Sequence, residues 1–268
     1  MTEPLSGGTG SAGAGAGTLF DELRRIVEDG GRAVVLTVVA GERIGAKLLV
    51  REDGTTVGDD PGGLGALAPA ALRRGRSHVL TLDEEMVFAD VIAPPPRLFI
   101  YGAIDTAEAL CRGAKLLGWT SIVADARALF ATRERLPSAD ELLVAWPEEA
   151  FAQVRPDVGT AIVVLTHDDK FDLPALTAAL ASEAFYIGAL GSRRNQERRR
   201  ELLLEAGVAE SELDRIAGPC GLDIGAESPA ETALSMLAEI LAARAGRSGG
   251  PLKDSATRIH AEPLAGKK

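Results

Sequence analysis

Apolar positions change period several times along the first third of the chain. In TLFDELRRIVEDGG, Leu19, Leu23, Ile26 and Val27 fall on one helical face, and Gly30-Gly31 is a stop signal. RAVVLTVVA, IGAKLLVRE and TTVG then read as three strands, the last two joined by a tight turn at Asp53-Gly54. The pattern predicts a helix over 64–74 and two more strands in SHVLTLD and EMVFADVI, which makes a small α+β unit over 18–93. Prolines 94–96 favour extended backbone and lack amide donors, so they read as a linker.

Beyond the prolines the rhythm becomes apolar strand, loop, amphipathic helix. Strands are predicted at 98–101, 121–124, 142–144, 161–165 and 185–187, with helices at 106–117, 173–182, 193–206 and 229–244. The last helix opens on a capping box, Ser228 to Glu231, with Pro229 at its first position. Strands alternating with helices predict an α/β domain over 97–245, a Rossmann-like parallel sheet with helices on both faces. Residues 1–17, low-complexity Gly/Ala/Ser sequence, and 246–268, without sustained period, read as flexible tails.

Composition narrows this picture. Aromatics are 4% of the 268 residues, so the cores rest on Leu, Val, Ile and Ala. A net charge of −10 argues against a nonspecific nucleic-acid or anionic-membrane binder. The two cysteines, Cys111 and Cys220, form no CxxC pair, which argues against a disulfide scaffold or structural zinc. The N-terminus lacks the basic and apolar regions of a signal peptide, and no apolar run approaches the ~20 residues that span a bilayer. A cytoplasmic location follows as the expectation.

Five polar clusters fall where ligands of doubly wound sheets bind, beyond the carboxyl ends of strands. In Gly102, Ala103, Ile104, Asp105 the glycine suits a tight turn, but Ile104 stands where a dinucleotide fingerprint has its second glycine. Asp105 reads as an N-cap occupying the helix amides, and the segment either caps a helix or walls a modified pocket. Asp125 and Arg127 could bind ribose hydroxyls and a phosphate, or form a turn. Thr166 opens the loop after the most apolar strand, and there His167 with Asp168 and Asp169 could bind a metal, act in acid–base chemistry or shape the loop, although no second His or Cys lies at metal spacing. Gly188, Ala189, Gly191, Ser192 and Arg193 read as an anion cradle, while Arg198, Arg199 and Arg200 read as a solvated face paired with Glu197, Glu201 and Glu205. Gly221 and Asp223 lie in a loop suited to lining a pocket, and nearby Cys220 is a soft metal ligand, a sulfur-handling thiol or an inert apolar residue. The chain holds no G-x-S-x-G elbow, P-loop or HExxH.

Taken in order, PPPRLFIYGAIDTAEAL, VADARALFATRERLPSADELLVAWP, VLTHDDKFDLPALTAAL, FYIGALGSRRNQERRRELLLEAGV and GLDIGAESPAETALSMLAEILA resemble the XdhC/CoxI family. Its members are accessory proteins that mature xanthine dehydrogenase and carbon monoxide dehydrogenase type molybdoenzymes. AVVLTVVAGERIGAKLLVREDGTTVG is similar to the family's smaller N-terminal domain. The resemblance implies a chaperone rather than an enzyme. Its cargo would be a molybdopterin-type molybdenum cofactor, and its partners an apo-molybdoenzyme and a cysteine desulfurase. The cofactor's phosphate would sit on Gly188–Arg193, with Gly102, Ala103, Asp105, Asp125, Arg127, Thr166, His167, Asp168, Gly221 and Asp223 around the same crevice. Two departures stand out: Leu64 replaces a family cysteine, and Ile104-Asp105 replaces the glycine and histidine of many members. The competing readings are an NAD(P)-dependent oxidoreductase and a ligand-free adaptor. A homodimer is the default assembly.

Overall fold

The computed structural model describes residues 14–58, 60 and 62–255. They fall into two compact units divided between Pro94 and Pro95. In the first, α1 (Ala14–Glu28) precedes β1 (Ala33–Ala40), β2 (Lys47–Arg51) and β3 (Thr56–Gly58). A 3-10 turn (Leu64–Leu67) and α2 (Ala68–Arg74) follow, then β4 (His78–Leu82) and β5 (Glu85–Ile92). The strands make an antiparallel sheet in the order β3-β2-β1-β5-β4. Alternation along β1 explains its two faces. Val34, Leu36 and Val38 pack with Leu64, Ala68 and Leu72, whereas Ala33 and Val35 pack with Ile26 of α1. Helix α1 begins four residues inside the segment whose composition reads as a tail, and residues 1–13 lie outside the described residues.

The second unit carries β6 (Arg97–Tyr101), α3 (Asp105–Leu116), β7 (Thr120–Ala124), β8 (Glu141–Leu143), α4 (Pro147–Val154) and β9 (Thr160–Val164). It continues through α5 (Asp169–Leu180), β10 (Tyr186–Ala189), α6 (Arg193–Glu205), α7 (Glu210–Leu213), β11 (Ile216–Ala217) and α8 (Pro229–Ala245). All six strands are parallel, in the order β11-β10-β9-β6-β7-β8. Two runs of strands spread outward from the β6/β9 pair in opposite directions, the doubly wound Rossmann-like arrangement. Leu98 and Ile100 face one core with α3 and α8; Phe99 and Tyr101 face the other with α4, α5 and α6. Gly113 lets α3 and α8 approach, since a Cβ there would stand 2.2 Å from Leu237. The capping box at Ser228 and Glu231 is present as the sequence pattern predicts.

Between the predicted strands and helices of this unit the structure adds α4, α7 and the two-residue β11, which the sequence pattern does not show. It also starts α5 at Asp169, earlier than the predicted 173. Past α8, Gly246 closes the helix in left-handed conformation and Leu252–Asp254 forms a 3-10 turn; residues 256–268 lie outside the described residues. Among the described residues no helix is long and apolar enough to cross a membrane.

Candidate functional site

The strand order reverses between β6 and β9, and ligands of such sheets bind outside the carboxyl ends of the strands at that point. Four loops meet this edge. The first turns at Gly102, whose φ of +117° suits glycine, and whose amide donates to the Ala124 carbonyl at 2.8 Å. A Cβ at Gly102 would lie 3.1 Å from the Thr166 amide nitrogen and 3.2 Å from the Leu165 carbonyl carbon, so the loops after β6 and β9 touch backbone to backbone. Gly102→Ala combines a forbidden φ with that contact. It is expected to lower the stability of this unit by about 2–3 kcal/mol, read by urea unfolding; a loss below about 0.5 kcal/mol contradicts the assignment.

Asp105 does not cap α3. The N-cap is Ile104, in extended conformation, and Asp105 is the first helical residue, with its side chain outside and 3.3 Å from Arg135. The capping geometry falls one residue earlier because the Ala107 amide donates to the Ile104 carbonyl. Among the described residues no side chain caps the first-turn amides, and the Ile104 side chain packs against the core beside α3.

Asp125 follows β7 and is only 1% exposed. One carboxylate oxygen accepts from the Arg127 amide and Nε, each at 2.9 Å. The other accepts from the Ala103 amide at 2.9 Å and Arg127 Nη2 at 2.8 Å. Asp125 therefore joins the β6 and β7 loops, and Arg127 faces it instead of standing free. Burial alone would raise this carboxyl; the Arg127 guanidinium and the two amides outweigh burial and hold it below its ordinary value.

After β9, His167 and Asp168 are exposed, and Asp168 caps α5 by accepting from the Lys170 amide. Thr166 is buried and its hydroxyl donates to Asp172. Asp172 also accepts from Arg199 Nε at 2.8 Å and Nη2 at 2.5 Å. Arg199 in turn donates to the Leu190 carbonyl at 2.7 Å and the Thr166 carbonyl at 3.0 Å. One buried guanidinium thus joins the loops after β9 and β10. Burial pushes the Asp172 carboxyl upward, and the Thr166 hydroxyl and the guanidinium oppose it.

This corrects the reading of Arg198, Arg199 and Arg200 as one solvated face. Arg199 lies four residues before Leu203, on the stripe that α6 buries, and Asp172 offsets its charge. Arg198 pairs with Asp169, and Arg200 with Glu210 and Asp214, not with the glutamates of their own helix.

The cradle residues also separate. Gly188 and Ala189 are buried within β10, where a Cβ at Gly188 would meet the Tyr186 ring at 2.8 Å and Cys220 at 3.1 Å. Gly188 makes room for packing and lies in the strand, not in the loop beyond it. Gly191, Ser192 and Arg193 do lie at the turn into α6: Ser192 caps the helix through the Asn195 amide, and Arg193 and Arg194 are exposed. Among the described residues neither of these two guanidiniums has a side-chain partner. Gly221 is tied by its amide to Glu239 of α8 at 2.8 Å, and Asp223 is exposed further along that loop. Burial pushes the Cys111 thiol up to about 11 and the Cys220 thiol up to about 12, so both stay protonated and unreactive near neutral pH.

The edge also carries an aromatic series that sequence reasoning passed over. Trp146, between β8 and α4, is half exposed and its ring lies 5.2 Å from that of Phe171 in the first turn of α5. The Arg127 guanidinium lies 5.7 Å from the Phe171 ring and 4.2 Å from the Phe130 ring. With aromatics at 4% of the chain, three at one edge were the available signal.

The family model described as the XdhC Rossmann domain matches residues 98–240, more than half of the chain. The chain is 34% identical over 158 residues to a Bacillus subtilis protein named as a probable xanthine dehydrogenase component, covering 59% of this chain and 46% of that protein. It is 34% identical over 151 residues to the molybdenum cofactor insertion chaperone PaoD of Escherichia coli, covering 56% and 41%. It therefore spans under half the length of each relative. A crystal structure of a protein described as a xanthine dehydrogenase, from Bacillus halodurans, shares the fold with a TM-score of 0.60 at 24% identity, over 84% of this chain and 66% of that one. A parallel sheet in Rossmann-like order and a family match along almost all of it lead to one assignment: the chain belongs to the XdhC family, and residues 98–240 are its Rossmann domain.

Proposed function

We propose that this protein carries molybdenum cofactor as cargo and delivers it to a xanthine dehydrogenase type apo-enzyme during maturation. The observation that carries the reading is the start of α6, where Arg193 and Arg194 stand exposed, without side-chain partners among the described residues, at the carboxyl end of β10. A phosphate-bearing cargo fits guanidiniums placed beside helix amides. The name of PaoD, a cofactor insertion chaperone, supports the same cargo. In this reading Gly191, Ser192 and Arg193 hold phosphate, and the edge formed by Gly102, Ala103, Thr166 and His167 faces the rest of the molecule.

Purification of the full chain from cells that make molybdenum cofactor tests this by the fluorescence of released, oxidised pterin. Pterin is expected to travel with the protein. The surface double variant Arg193→Ala, Arg194→Ala is expected to lower binding about tenfold or more, since hydrogen bonds to charged groups contribute about 1.5–3 kcal/mol each. Wild-type protein that neither carries nor binds the cofactor at micromolar concentration overturns the proposal. The strand order and the uncapped α3 favour a second reading, a nicotinamide dinucleotide; saturable binding of NAD(H) or NADP(H), without pterin, would select it.

A further inference from the structure

Trp146 gives only part of its surface to the packing of the fold. A tryptophan buries 150–250 Å² when it enters a core and stabilises accordingly, yet this one leaves half its surface in water. It is also held rigidly. Pro147 follows it at the start of α4, and the Phe171 ring supports it at 5.2 Å. Just before it, the Ala145 amide donates to the Asp125 carbonyl at 3.3 Å, and the Ala145 carbonyl accepts from the Tyr101 hydroxyl at 3.2 Å. Phe171 is shared with the Arg127 guanidinium, whose plane is fixed by two bonds to Asp125 and whose side chain is 40% exposed. Arg127 and Phe130 after β7, Trp146 after β8 and Phe171 of α5 thus form one aromatic and guanidinium series, whose exposed members Trp146 and Arg127 lie on the half of the sheet away from Arg193.

We propose that the exposed part of Trp146, with Arg127 against the same Phe171 ring, is a stacking subsite for a planar nitrogen heterocycle. The inference rests on the cargo reading and deepens it by assigning the ring portion of the phosphate-bearing cargo to this half of the edge. An indole face and a guanidinium plane both stack on flat heterocycles with little sequence or ring preference. Strands β6, β7 and β8 form one of the two halves of such a sheet, and a two-part ligand lies across the crevice between the halves. The ring comes either from a nucleobase or from a pterin, and both are stacked by the same surface.

Trp119 and Trp146 are the only tryptophans, and Trp119 is buried. The full-length Trp119→Phe variant therefore reports on Trp146 alone. Titration of its fluorescence with CMP, AMP and pterin-6-carboxylate, with ribose 5-phosphate as control, is expected to give saturable quenching by ring compounds and none by the sugar phosphate. Stronger quenching by the nucleotides identifies a nucleobase, and stronger quenching by the pterin identifies that ring. Equilibrium dialysis of the better ligand is expected to show a loss of about tenfold or more in Trp146→Ala and less than about threefold in Trp146→Phe, which keeps a stacking face. No saturable quenching by any ring compound, or equal binding by the alanine variant, overturns the subsite. Whole cofactor carried equally by Trp146→Ala defeats the subsite and leaves the cargo reading standing. Ring binding at Trp146 with no cofactor carried does the reverse.

Discussion

Arg199→Met is expected to lower the stability of the parallel-sheet unit by about 3–5 kcal/mol, the range for breaking a buried ion pair from one side. The guanidinium and the Asp172 carboxylate are both nearly sealed, at 3% and 2% exposure. Removing Arg199 leaves Asp172 with the Thr166 hydroxyl as its remaining partner and strips the Thr166 and Leu190 carbonyls of a donor. Arg199→Lys should recover only part of the loss, because one ammonium cannot reach the carboxylate and both carbonyls in the geometry of the guanidinium fork. Arg199→Met with Asp172→Leu should recover more, since an apolar pair leaves no uncompensated charge. Both tryptophans lie in this unit, so fluorescence follows its unfolding without signal from the antiparallel unit. With a urea slope of roughly 1–3 kcal/mol/M, the midpoint should fall by about 1 M or more. A change below about 1 kcal/mol would show that the network does not hold the two loops.

The reasons some features were legible in the sequence and others were not are physical. The five longer strands of the parallel sheet are apolar runs between turn residues, and each of the longer helices α3, α5, α6 and α8 carries a periodic stripe or a cap, so both signals are local. Helix α4 is only eight residues long and β11 only two, too short for a period to emerge. Gly188 sits in a glycine-rich run that resembles a loop; the strand extends through it by pairing with Val163 and Ala217, and Tyr186 and Cys220 close on the space of its missing Cβ. Arg199 shows the same limit more sharply. Its neighbours at positions 198 and 200 are surface residues, and its own burial is decided by Asp172, twenty-seven residues earlier. Asp125 was visible as an acid at a strand end, but its partner amide at Ala103 is a property of the fold. Long-range polar pairing leaves no mark on local periodicity, and much of this site is built from it.

Asp125 should also govern how the unit responds to acid. Its carboxyl lies below the ordinary value in the folded protein because Arg127 and two amides favour the charged form over the cost of burial. An unfolded aspartate titrates near 3.9. With the folded value lower than the unfolded one, the unfolded chain binds the proton first, so acid destabilises the fold. The stabilisation is complete above about pH 4 and is lost as pH falls through the folded value. Asp125→Asn removes the charge and sets an amide group against existing donors. It is expected to cost about 2–3 kcal/mol at pH 7, the scale of leaving buried donors unsatisfied. Protonated aspartic acid and asparagine have nearly the same shape and neither is charged. The stability gap between wild type and Asp125→Asn should therefore stay constant from pH 7 to about 4.5 and close below pH 4. Urea unfolding at stepped pH, read by tryptophan fluorescence, measures that gap directly. A gap that persists unchanged to about pH 2.5 would place its origin in shape and not in charge. A gap that closes above about pH 5 would mean a carboxyl held high, the opposite of what the Arg127 guanidinium and the two amides dictate.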